Sequence, residues 1–129
     1  MWLTPDAASI AANVICRRLD GGSLKVYSGA IPPSPSKSKP RDCLFSLPLS
    51  ETAFQTAEKG VAVANPIGAE PAERNGVPTW FAATAKNGDV IFWGTVGRTR
   101  LSDLVLDKVD FKTGDILRLS EFVYEQKSA

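Results

Sequence analysis

Residues 79–96 read Thr79-Trp80-Phe81-Ala82-Ala83-Thr84-Ala85-Lys86-Asn87-Gly88-Asp89-Val90-Ile91-Phe92-Trp93-Gly94-Thr95-Val96. Two alternating runs flank Asn87-Gly88, the strongest short-range signal for a β-hairpin, and a type I′ turn with positive φ at both central residues is expected there. In the first run Trp80, Ala82 and Thr84 share one face, and Phe81, Ala83 and Ala85 the other. On the return, Val90, Phe92 and Gly94 oppose Ile91, Trp93 and Thr95. Aromatic residues on both faces predict a central hairpin, covered on both sides.

The same alternation extends upstream. Ser23-Leu24-Lys25-Val26-Tyr27-Ser28 reads as a strand with Leu24 and Val26 on one face. Cys43 to Leu49 reads as another, with Cys43, Phe45, Leu47 and Leu49 together and Pro48 marking an edge or an end. Val61 to Asn65 is a third, after an irregular stretch from Thr52 to Gly60 anchored by Phe54. A turn-rich stretch follows through Pro66, Gly68, Pro71 and Gly76. Downstream, Leu104 to Phe111 and Asp115 to Tyr124 are expected to pair with each other around Lys112-Thr113-Gly114.

The chain opens with a helical pattern over residues 4–20. Thr4 is a good N-cap, Pro5 suits the first helical position, and Asp6 complements the positive end of the helix dipole. Ala7, Ile10, Ala11, Val14 and Ile15 recur at helical spacing, with Leu19 a turn further on, and predict the buried stripe. Asp20-Gly21-Gly22 stops the helix. Turns every eight to twelve residues and no βαβ alternation make the expected fold mainly β. It is a single domain, an antiparallel β-sandwich or small barrel of about seven strands over residues 23–124 with one N-terminal α-helix.

Composition excludes several functions. The 43% apolar and 22% charged content is that of an ordinary globular chain. Fifteen basic against 14 acidic side chains leave a net charge of +1, which argues against a nucleic-acid binder. A basic surplus of three falls in residues 1–42, where six basic side chains meet three acidic ones. No apolar run approaches a membrane span and no secretory signal is visible, so synthesis and folding in the cytoplasm are expected. Cys16 and Cys43 lack the spacing of a zinc site or disulfide framework and read as reduced, small apolar residues.

With no histidine in the chain, histidine-based triads, histidine general bases and most catalytic zinc sites are unavailable. The remaining candidates are weak. Arg17 and Arg18 follow Cys16 but point in other directions on a helix. Asp103, Asp107 and Asp110 read as a solvated edge rather than a carboxylate pair. Gly94-Thr95-Val96-Gly97 lacks the lysine of a phosphate loop. No catalytic residue, metal ligand or cofactor is expected. Trp80 and Trp93, flanking one hairpin, would suit a carbohydrate-binding module, although large aromatics more often fill a core.

Residues 29–42 hold four prolines with Lys37, Lys39 and Arg41, a loop that cannot form regular ladders. Around it lie Gly-Gly-Ser-Leu-Lys-Val-Tyr-Ser-Gly at 21–29 and Cys-Leu-Phe-Ser-Leu-Pro-Leu at 43–49. Gly60-Val61-Ala62-Val63-Ala64-Asn65, Pro78-Thr79-Trp80-Phe81-Ala82, Asn87-Gly88-Asp89, Gly94-Thr95-Val96-Gly97 and Gly114-Asp115-Ile116-Leu117 come next in order. This succession, over about residues 8–124, resembles a family of small β-rich structural proteins of tailed bacteriophages. The resemblance implies a virion component made in the bacterial host cytoplasm, in first place a capsid decoration or cement protein. Its expected partner is the major capsid protein or another virion protein, with homo-oligomers in view; a tail or head–tail connector component is the alternative. Ile31, Pro33, Lys37, Lys39 and Arg41 in the loop, with Arg98 and Arg100 in a basic turn and the N-terminal helix beside them, are the expected contact residues. Lys37, Lys39 and Arg41 depart from the neutral loops of relatives.

Overall fold

The computed structural model describes residues 1–31, 43–98, 103–106, 108, 110–117, 119 and 122–127. The chain is mainly β with one N-terminal helix, in the order α1 (Pro5–Arg17), β1 (Ser23–Ser28), β2 (Cys43–Pro48), β3 (Val61–Val63), β4 (Glu70–Pro71), β5 (Pro78–Thr84), β6 (Val90–Gly97), β7 (Leu104–Val105), β8 (Ile116–Leu117) and β9 (Val123–Glu125). Among the described residues there are nine strands against the about seven expected, because the turn-rich and C-terminal stretches contribute several of two or three residues each.

The main sheet runs β2-β1-β5-β6-β7, antiparallel except for the parallel β6–β7 pair. Its register builds two rows across the core face: Leu47, Leu24, Ala83 and Phe92, then Phe45, Val26, Phe81 and Gly94. Alternation along each strand therefore brings together residues distant in sequence, and these rows join Leu44, Phe54, Phe111 and Phe122 in one buried cluster. On the opposite face Tyr27 stacks on Trp80 with ring centroids 4.3 Å apart. Ala82, Cys43 and Val90 complete that second, smaller cluster. β5 is thus buried on both faces, as expected of a central strand, whereas β6 is half exposed along its length.

The hairpin forms where Asn87-Gly88 places it, but not with a type I′ turn. Gly88 N donates to Ala85 O and Ala85 N to Asp89 O, with positive φ at Gly88 and not at Asn87. This is a three-residue loop with glycine in the left-handed position, and Ile91 is the bulged residue on the return strand. The paired positive φ values of a type I′ turn occur instead at Lys59 (51°) and Gly60 (81°), where Glu58 and Val61 exchange backbone hydrogen bonds. Part of the expected irregular stretch before Gly60 is accordingly bridged to the chain on the far side of that turn, Phe54 to Ala64.

The expected pairing of 104–111 with 115–124 does not occur among the described residues. Asp115 N donates to Lys112 O and φ at Gly114 is 91°, the pattern of a type II turn, which splays flanking strands instead of closing a hairpin. The pieces pair outward: β7 with β6, Phe111 with Gly76, β8 with β4, and β9 with β3.

Candidate docking surface

α1 starts as its sequence directs but ends at Arg17, with Arg18 as its C-cap, short of the Asp20-Gly21-Gly22 stop expected. Thr4 Oγ1 accepts from Ala7 N at 3.2 Å, Pro5 occupies the first turn, and Asp6 and Arg17 complement the helix dipole. Its orientation, however, corrects the expected stripe. The buried face is Ala8, Ala12 and Cys16, continued by Leu19, while Ile10 and Val14 are 66% and 59% exposed.

The reason lies in what the helix packs on. α1 lies against β3 and β9 and the type I′ turn between Glu58 and Val61. Ser9 Oγ accepts from Gly60 N at 2.9 Å and Asn13 Oδ1 from Ala57 N at 2.8 Å, two polar anchors one turn apart. A third bond, from Ala53 N to Asp20 Oδ1 at 2.9 Å, holds the chain just past the helix. These bonds satisfy backbone donors that helix contact would otherwise strip of water, and they outweigh the burial of two branched side chains elsewhere. The close approach leaves room only for alanine and cysteine. A second stripe, Ala8-Ala12-Cys16-Leu19, was present in the sequence at equally good helical spacing, but its smaller side chains carry less hydrophobic weight.

The outer face of α1 is consequently an apolar row flanked by charges. Asp6, Ile10, Val14 and Arg17 are all exposed and lie within about 80° of one another around the helix axis. Trp2, 80% exposed, and Leu3 extend the apolar surface beyond the N-terminus.

Of the other expected contact residues, Ile31 and Arg98 are exposed. Pro33, Lys37, Lys39, Arg41 and Arg100 lie outside the described residues, as do Asp107 and almost all of the 30–42 loop.

The two cysteines are free thiols. Burial, with Asp20 adding to it, pushes the Cys16 thiol up to about 11, so it is not an activated nucleophile. Cys43 Sγ donates to Phe45 O at 3.3 Å, and its thiol is also raised, by burial first. Asp103 accepts from Thr95 N at 3.0 Å and from Thr95 Oγ1, tying β7 to β6. Asp103 and Asp110 are exposed. Among the described residues no group of three or more cysteines or carboxylates is placed to hold a metal, and no helix is long and apolar enough to cross a membrane.

The tryptophans separate. Trp80 is 1% exposed in the second cluster, and its Nε1 finds no acceptor among the described residues. A paired Trp80–Trp93 platform is therefore not available at the surface. Trp93 is 49% exposed and borders a cleft of about 440 Å³ between β6 and β9, with Tyr124, Asp103 and Glu125.

Comparison with known protein families, curated proteins and solved structures finds no match.

Proposed function

We propose that this protein acts by attachment, as a structural component of a tailed-phage particle, in first place a decoration or cement protein on the capsid shell. The observation that carries this reading is the outer face of α1: Ile10 and Val14 stand in solvent on a helix whose opposite face already serves the domain's own core. Exposing branched apolar side chains costs free energy that a contact recovers, and a structural subunit needs such a patch more than it needs an active site. The order of short motifs along the chain supports the particle; the helix face supports the mode of action.

The test is quantitative mass spectrometry of purified particles, comparing the copy number of this chain with that of the major capsid protein. A ratio near one, or a simple fraction of it, is expected for a shell-coating protein. A ratio matching portal or tail proteins moves it to the connector or tail. Absence from particles overturns the reading, and quenching of Trp93 fluorescence by oligosaccharides would then assign the β6–β9 cleft to a carbohydrate.

A further inference from the structure

We infer that the occupant of the outer face of α1 is a second copy of the same helix, packed antiparallel about a twofold axis near the helix midpoint. This rests on the reading of that face as a docking surface and names what docks, so that a dimer joined through α1, and not a single copy, is the unit that attaches.

The order of residues along the exposed row is self-complementary. From N- to C-terminus it reads Asp6, Ile10, Val14, Arg17: acidic, apolar, apolar, basic. Turned end for end and laid against itself, the row matches. Asp6 meets Arg17 of the second copy, Ile10 meets Val14, Val14 meets Ile10, and Arg17 meets Asp6. An isologous twofold contact requires this self-complementarity, in which residue i touches j and j touches i. The two end charges also suit the dipole of their own helix, so the self-match rests on their spacing about the exposed Ile10 and Val14.

Three further features fit. The antiparallel arrangement places the positive end of each helix dipole beside the negative end of the other. Ala7, beside Ile10 on the row's flank, is small enough for the two helices to approach to the usual 8–10 Å. Trp2 and Leu3, exposed beyond the N-cap, reach over the last turn of the second helix, where Arg18 is exposed as well. With a contact surface about 20 Å long, the dimer falls at the small end of specific interfaces, and a micromolar dissociation constant is expected.

Sedimentation equilibrium of the full chain from low micromolar to near millimolar concentration tests this. The wild type is expected to shift from 13.8 kDa toward twice that mass. Ile10→Asp is expected to raise the dissociation constant more than about 100-fold, since each dimer loses two apolar contacts and gains buried charges. Asp6→Arg or Arg17→Asp alone is expected to weaken the dimer about tenfold, each breaking two ion pairs, and the double reversal to regain most of that loss. These side chains are solvent-exposed, so far-ultraviolet circular dichroism confirms an unchanged fold in each variant. A wild type that stays at 13.8 kDa throughout overturns the inference, as does a dimer indifferent to Ile10→Asp. A monomer that still coats particles defeats the second-copy occupant and leaves the structural role standing; a dimer missing from particles does the reverse.

Discussion

The centre of the main sheet and the C-terminal segment from Asp103 to Glu125 are held in opposite ways. β5 is paired along its length with β1 on one side and β6 on the other, and its side chains are buried on both faces. The C-terminal segment, among the described residues, never makes a ladder longer than three residues. It touches β6, Gly76, β4 and β3 in turn, each through a separate short contact. Its anchors are side chains instead. Phe122 sits against Phe54, Phe81 and Phe92 with ring centroids 5.6–6.3 Å apart, and Phe111 meets Phe45 edge-on at 4.9 Å. One region is thus stabilised by continuous backbone pairing and the other by a few aromatic plugs, so they should fail differently.

The largest expected effect is at the centre. A Cβ on Gly22 would lie 2.0 Å from the carbonyl oxygen of Thr84, a backbone atom that β1–β5 pairing holds in place. Gly22→Ala is expected to destabilise by more than about 4 kcal/mol, unfolding sheet and helix in a single step. Urea unfolding followed by circular dichroism checks it, and a loss confined to a local region would show that the centre is not the cooperative unit.

Phe122→Ala comes next, at about 3–4 kcal/mol from lost burial and the cavity left among three phenylalanines. Hydrogen exchange should show protection lost first in β9 and β3 while β1 and β5 remain slow. Equal loss in β5 would mean the two regions unfold together and would erase the contrast.

The smallest effect is electrostatic. Asp115 receives Lys108 Nζ at 2.7 Å and Lys112 N at 2.9 Å, and these donors hold its carboxyl below the usual carboxylate value. A carboxylate whose folded value is lowered contributes stability above its unfolded value, and that contribution is lost as pH falls through the folded one. Asp115→Asn is therefore expected to lower the melting midpoint slightly at neutral pH and to match the wild type in strong acid. A difference persisting at low pH would assign the effect to the turn geometry rather than to charge.

Much of this architecture was legible from the residues. β1 and β2 lie at or within a residue of where alternation puts them, and Phe54 is buried as an anchor. Thr4 caps the helix, and Asn87-Gly88 turns the hairpin, although as a three-residue loop in place of a type I′ turn. The candidate contact surface was legible only in part. The helix could be named as a contact element, but the stripe of larger apolar residues pointed to the wrong side as the buried one. Ser9 and Asn13, which settle the orientation, look like solvent-facing polar residues until Ala57 and Gly60 are placed opposite them.

What the sequence by itself determined are the features written in neighbouring residues: strand alternation, the helix cap, and the positions of the turns. Their free energies come from contacts within a few residues, so local chemistry is enough to read them. Only the tertiary structure decided which strand each piece of the C-terminal segment would join and which face of α1 would turn inward. Those choices compare surfaces far apart in the chain, where bonds to the Glu58–Val61 turn and the room available beside Gly60 outweigh the hydrophobicity of Ile10 and Val14.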